Sequence, residues 1–358
     1  MVLLADFTLR SINCKVLSFK FQVFGVFYKI VSIYKASGLT VLSMKSLLKI
    51  SISSVFKGFI LPVILFLSGS VCASNENIKL VVTAAFVSEK GLPVYDDLAN
   101  YLGNKLSANV DVISGLTYDE ADLMLEKGII QIGFVCGLPY TNKVNAGKYE
   151  LVAIPVMGNS DRNKLHSVDY RRTPGKYFSY TIVRKGSGLK SWSDLKGKTY
   201  VYNDINSNSG YNMPRYKLVQ LGVKSWEDYF SSVTVSGTHE ESIRMVASGL
   251  VDASSVDSLV LDYDRHLGVP DSFNVEIIEI LFPGGAGIPP VVISSKASPV
   301  LKERLQKVLV SMHVDSVGKG ILKRALLQSF ELPDDSNYDD IRFMKAAARK
   351  AGFRDHVR

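Results

Sequence analysis

Cysteine is scarce in this 358-residue chain: it has three, Cys14, Cys72 and Cys136. Only Cys136 lies beyond the leader described below. A single thiol closes no internal disulfide and builds no thiolate metal cluster. The five histidines show no paired spacing, so neither a structural metal nor a cofactor is expected. No G-x-S-x-G nucleophile elbow is present. The apolar run from Phe59 to Leu67 is too short to span a bilayer. A basic excess is missing from most of the chain as well. The formal charge is +8, but residues 1–73 hold eight Lys/Arg and one acid, Asp6. That leaves 34 of the 42 basic and 33 of the 34 acidic residues for the remainder, which is near neutral. The sequence pI of about 9.1 therefore gives no argument for a nucleic-acid partner.

What is present begins with a leader. Met44 is followed by Lys45, Lys49 and Lys57, then by the apolar run GFILPVILFLSGSV, then by Val71-Cys72-Ala73. A basic start, a short apolar middle and small residues before a cut make a secretory signal peptide over 44–73. The mature chain is expected to start at Ser74 and to be exported. Residues 1–43 read as an upstream extension from an early start codon, with an N-terminal membrane anchor as the alternative. Lipid attachment at Cys72 is disfavoured, because Val71 is too large for the usual pattern.

The remainder alternates strand and helix, and 47% hydrophobic residues are ample for a core shared by two lobes. IKLVVTAAF, NVDVISG, IIQIGFVCG, ELVAIPVM and YFSYTIVRKG read as strands. LPVYDDLANYLGNKL places Val94, Leu98, Leu102 and Leu106 on one helical face. Thr117 and Glu120 form a capping box, and Gly128 stops that helix. The pattern then repeats through KTYVYND, SSVTVSG, THEESIRMVASG and LVDASSV. Ser298-Pro299 starts another helix, and further helices are expected near 315–329 and 338–351. Alternating βα units predict an α/β fold with mainly parallel sheets flanked by helices. Ligands in such sheets sit beyond the carboxyl ends of strands.

Candidate site residues gather at those ends. In YNDINSNSGYNMPR (202–215), Ser207, Asn208, Ser209 and Gly210 crowd one helix start, where a cap needs only one of them. Free N–H groups, the positive end of the macrodipole and two hydroxyls make an oxyanion cradle there. His239, in SGTHEES, also follows a strand and begins a helix that Thr238 or Ser236 can cap. VDASSVDS ends a strand with Ser255 and Asp257. GFVCGLPY offers Tyr140.

YFSYTIVRKGSGLKSWSDLKGKTYVYNDINSNSGY, GTHEESIRMVASGLVDASSVDS and IQIGFVCGLPY together resemble the phosphate/phosphite/phosphonate-type substrate-binding proteins of bacterial ABC importers. The resemblance covers roughly 78–312. It implies a type II periplasmic binding protein fold: two lobes, a two-crossing hinge and a ligand cleft between them. Lobe 1 would hold 78–188 plus 283–358, and lobe 2 would hold 189–282. The family's Ser-Thr-Ser-Gly stretch falls on Ser207, Asn208, Ser209 and Gly210, with Asn208 departing from Thr. Its anion-binding His falls on His239. The Glu that reads an amine in aminoalkylphosphonate binders is replaced by Leu259, and a cleft Tyr falls near Val135. The resemblance implies a binding protein and no enzyme: a monomer that takes a small anionic ligand and hands it to an ABC permease in the inner membrane. Two other readings stand beside it. One is a ligand sensor partnering a membrane kinase. The other is a hydrolase using Ser207 or Ser209, His239 and Asp257.

Overall fold

The computed structural model describes residues 77–83, 91–158 and 168–354. The proposed extension and signal peptide at 1–73 lie outside the described residues. Two sheets carry the fold. The first has the strand order 327–331, 149–157, 291–294, 132–134, 77–82, 109–113 and the second 232–235, 199–202, 253–257, 176–184, 275–287.

The first sheet starts with β1 (Asn77–Val82), β2 (Asn109–Ile113) and β3 (Ile132–Phe134). β1 pairs in parallel with both of the others. Helix α1 (Leu92–Leu106) connects β1 to β2, and its Val94, Leu98, Leu102 and Leu106 stripe is buried. Helix α2 (Tyr118–Lys127) has both bonds of the Thr117–Glu120 capping box and ends on left-handed Gly128. Helix α3 (Gly137–Val144) follows β3 directly.

The second sheet repeats the scheme. β6 (Thr199–Tyr202) pairs in parallel with β7 (Ser232–Val235) and β8 (Ala253–Asp257). Helices α4 (Met213–Gln220), α5 (His239–Ser248) and α6 (Ser258–Leu267) follow these three strands in turn. Each therefore begins near a strand's carboxyl end, as the ligand rule for open sheets requires.

The other strands run antiparallel, so the sheets are mixed rather than mainly parallel. β4 (Tyr149–Met157), β10 (Val291–Ser294) and β11 (Leu327–Glu331) do so in the first sheet. β5 (Lys176–Arg184) and β9 (Val275–Gly287) do so in the second. β5 and β9 carry the chain between lobes, and a strand that crosses and returns meets its neighbours head to tail.

These pairings move the expected lobe boundaries. β5 belongs to the second sheet, between β8 and β9, so the first lobe ends near residue 175 and not 188. β9 remains in that sheet to Gly287 and not 282, bending at Phe282 and Gly285 where φ turns positive. The C-terminal segment does not stay with the first lobe. Helix α9 (Asp339–Lys350) accepts a hydrogen bond at its Ile341 carbonyl from Asn212 Nδ2 of the second lobe, 3.3 Å away. Phe353 packs edge-on against Trp226, and the Arg354 N–H bonds the Lys224 carbonyl at 2.8 Å. Among the described residues the C-terminal segment thus contacts both lobes. A helix over 315–329 is also cut short. Helix α7 (Pro299–Val310) starts at the Ser298 cap, helix α8 (Ser316–Arg324) ends early, and Leu327–Glu331 becomes an edge strand with Phe330 packed on Phe134.

Candidate functional site

Ser207 is the N-cap of the turn that follows β6. Its backbone is extended, and its Oγ accepts the Gly210 N–H at 3.0 Å. Asn208–Asn212 wind as one π-helical turn before α4 begins. Such isolated π turns recur at functional sites. Tyr211 anchors the turn by packing on Tyr202 and Trp226 in the second-lobe core. Gly210 is required by its neighbours: a Cβ there would lie 1.7 Å from Asn203 Oδ1.

His239 supplies the second arm. Thr238 caps α5 through the Glu241 N–H at 3.1 Å, which leaves the imidazole free for other work. Its Nδ1 accepts the Asp257 backbone N–H at 3.2 Å. In the neutral ring the proton therefore sits on Nε2, which points between Ser207 Oγ at 3.4 Å and Ser209 Oγ at 3.5 Å. Burial pushes the His239 pKa down to about 3, so the ring is a neutral donor at any physiological pH.

Asp257 ends β8 and caps α6, its Oδ1 accepting the Leu259 N–H at 2.8 Å. Its Oδ2 accepts from Ser209 Oγ at 3.2 Å. Burial holds this carboxyl well above the usual range, against the pull of those two donors. Ser207, Asn208, Ser209, His239 and Asp257 are all 0% exposed. Ser207, Ser209, His239 and Asp257 form one polar cluster whose hydroxyl–imidazole distances are long for good hydrogen bonds. Its donors are therefore only weakly engaged with one another.

Three predicted residues do not present their side chains to this cluster. Asn208 turns its amide inward, donating to Tyr177 Oη at 2.9 Å and accepting from Asn212 at 2.9 Å. Ser255 lies two residues back along β8, and its hydroxyl pairs with Thr181 at 3.2 Å. Tyr140 stacks on Tyr338 and donates to Asp335 at 2.6 Å, tying α3 to the C-terminal segment.

Other residues come to the cluster that sequence reasoning did not assign. Ser179 Oγ donates to the Ser209 carbonyl at 2.6 Å. Tyr177 and Ser179 alternate along β5, a period-two polar face that was legible once β5 was placed in this sheet. From the first lobe, Cys136 Sγ accepts the Asn208 N–H at 3.3 Å. Burial pushes the Cys136 thiol up to about 12, so it acts as a neutral, weak acceptor. Asn203 reaches Tyr118 Oη at 3.5 Å. Only three-dimensional proximity reveals these last two contacts.

A groove of about 640 Å³ runs between Thr117–Tyr118 of the first lobe and Thr238, Glu241 and Arg244 of the second. The cluster's own side chains are not in its lining. Among the described residues no group of three or more His, Cys, Asp or Glu is placed to hold a metal ion. Among the same residues no helix is long and apolar enough to cross a membrane.

Residues 80–338 match the family model for the phosphonate ABC transporter periplasmic substrate-binding protein. A probable ABC transporter phosphite-binding protein, PhnD1 of Prochlorococcus marinus strain MIT 9301, is 29% identical over 111 residues. That stretch is 29% of this chain and 37% of PhnD1, so the chain matches little more than a third of that relative's length. A phosphonate-transporter binding protein of Pseudomonas aeruginosa superposes with a TM-score of 0.67 at 18% identity, covering 78% of this chain and 88% of its own. PhnD1 in complex with methylphosphonate superposes with a TM-score of 0.64 at 18% identity, covering 77% and 100%. These likenesses show the fold, that of type II periplasmic binding proteins.

Proposed function

The chain belongs to the family of periplasmic substrate-binding proteins of phosphonate ABC transporters, and from that premise we propose that its cleft binds a small phosphorus oxyanion. The ligand is phosphite, phosphate or a phosphonate with a compact neutral tail. The protein is exported after cleavage near Ser74, works as a monomer and delivers its ligand to a membrane permease.

One observation carries this reading: a buried, neutral His239 aims Nε2–H at two hydroxyls on a helix start. Neutral donors and oriented N–H groups grip an anion without a buried counter-charge. The same geometry speaks against hydrolysis. A serine hydrolase needs a free Nε2 to take the serine proton, with a carboxylate on Nδ1–H. Here Nδ1 accepts a backbone N–H, and the Asp257 carboxyl meets Ser209 and Leu259 instead. The missing amine reader supports the neutral tail. Leu259 is buried where related binders place Glu, and an ammonium has no partner there. Asp257 is the residue that tests this point, since it can accept a ligand O–H or pair with an amine.

Thermal shift and calorimetry with methylphosphonate, phosphite and 2-aminoethylphosphonate decide the matter. A ligand at 100 times its Kd adds about 2.7 kcal/mol of stability. The paired Ser207→Ala, Ser209→Ala change, or His239→Ala, is expected to weaken methylphosphonate by about tenfold or more per group while the protein stays folded. Unchanged affinity in a folded variant refutes the cradle. Tighter binding of 2-aminoethylphosphonate, abolished by Asp257→Asn, makes Asp257 an amine site instead.

A further inference from the structure

Asn203 follows the last residue of β6 and is fully buried. Its main chain is engaged, the carbonyl accepting the Gly237 N–H at 2.8 Å. Its Nδ2 reaches across the cleft to Tyr118 Oη at 3.5 Å. Its Oδ1 has no hydrogen-bond partner. That oxygen lies against Gly210: a Cβ built on Gly210 would be 1.7 Å from Oδ1 and 3.2 Å from His239 Cε1. It therefore lies on the same side of Gly210 as His239 Cε1, the ring carbon bonded to Nε2. The opposite amide orientation would press an NH2 against the Gly210 Cα hydrogens, whereas an oxygen makes a weak C–H···O contact there. A buried acceptor without a donor is destabilising, and one kept in a native protein calls for an explanation such as a donor supplied by a ligand.

We propose that Asn203 is a specificity-determining residue whose Oδ1 accepts the hydroxyl proton of a singly protonated phosphorus oxyanion. This rests on the binding function argued above. Ser207, Ser209 and His239 Nε2 are donors, and they grip any small tetrahedral anion alike. A phosphonate monoanion carries one O–H. A sulfonate of the same shape carries none at neutral pH and would set an oxygen lone pair against Oδ1. The acceptor thus separates phosphonates from sulfonates, which a cradle of donors alone does not do. Asp257 Oδ2, already receiving Ser209 Oγ, is the competing acceptor that the test must distinguish.

Calorimetry with methylphosphonate and methanesulfonate, on wild type and on the near-isosteric Asn203→Leu, makes the test. Wild type is expected to prefer methylphosphonate, and the preference should fade as pH rises past the second phosphonate ionisation. Asn203→Leu is expected to weaken methylphosphonate about tenfold or more, leave methanesulfonate unchanged or tighter, and flatten the pH dependence of their ratio. Asn203→Ala, which cannot overpack Gly210, gives the same comparison if the leucine variant melts early. Equal weakening of both ligands overturns the proposal and leaves a packing role. A ratio that collapses in Asp257→Asn but survives in Asn203→Leu also overturns it. A wild type that binds methylphosphonate in these cases keeps the binding function intact. A folded wild type that binds no phosphorus oxyanion overturns both.

Discussion

The cleft's two walls differ in how they are assembled. On the second-lobe side, consecutive residues from Ser207 to Gly210 share one helix start and meet His239 and Asp257 from the next two strand ends. On the first-lobe side the contacts come singly, Cys136 from the start of α3 and Tyr118 from the start of α2. The second wall is dense and fully buried, and its backbone is held by the Ser207 and Asp257 caps at 3.0 and 2.8 Å. The first wall touches it through a thiol at 3.3 Å and a phenol at 3.5 Å. On the binding function proposed above, one wall holds the ligand and the other closes over it. If that contrast is real, changes to the second wall must cost far more affinity than changes to the first.

Gly210→Ala should show the largest effect. The added methyl would lie 1.7 Å from Asn203 Oδ1 and 2.9 Å from its Cγ, so the turn or β6 must shift. Overpacking of this kind costs about 1–3 kcal/mol or more, and here the shift displaces the gripping groups themselves. Methylphosphonate affinity is expected to fall about 100-fold, read by calorimetry. Because the clash is with Asn203, Asn203→Ala in the same chain should restore part of the loss. No rescue would mean that Gly210 is constrained by something else.

The buried imidazole gives the next effect, through pH. An unfolded histidine titrates near 6.5, while folded His239 titrates at about 3. Between those values the unfolded chain binds a proton that the native chain refuses. Stability is therefore present above pH 6.5 and lost as pH falls, by about 1.4 kcal/mol per unit over the window. Asp257 acts in the opposite sense, since its folded pKa is raised. In the window above about 3.8 the native chain holds a proton that the unfolded one releases, so its contribution falls as pH rises. His239→Gln removes only the first contribution. Denaturant melts of wild type and His239→Gln should diverge as pH falls below 6.5, and parallel curves would mean that the ring is not buried neutral.

The same contrast explains what the sequence made legible. The α1 stripe, the Thr117–Glu120 box, the Ser298 cap and the surplus of polar groups at 207–210 are local patterns, and each appears where it was expected. β5 was grouped with the wrong lobe because pairing partners are a tertiary fact: YFSYTIVR is an equally good strand in either sheet. Residues 327–329 read as helix because no local signal separates LQS from the helix before it; pairing with β4 decides it. Tyr140 looked like a cleft aromatic from its place after β3, yet Asp335, nearly two hundred residues on, claims its hydroxyl. Asn203 stood in the very loop that drew attention. Its role depends on Gly210, His239 and Tyr118 converging on it, which spacing alone does not show.

The smallest effect belongs to the first wall, and Cys136 measures it. The Cys136 Sγ contact to the Asn208 N–H exists only while the lobes are together. Thiols are weak acceptors, worth at most about 1 kcal/mol in a hydrogen bond of this kind. Removing the contact shifts the open–closed balance by its own energy and no more, because a ligand's apparent affinity scales with the fraction of binding-competent protein. Cys136→Val, close in size and without the acceptor, is therefore expected to weaken methylphosphonate by less than about fivefold. Small-angle scattering of the ligand-free variant should show a slightly larger radius of gyration, and the ligand-saturated variant should match wild type. A loss as large as that of Gly210→Ala would place part of the anion grip on the first lobe, and the division of labour between the walls would have to be abandoned.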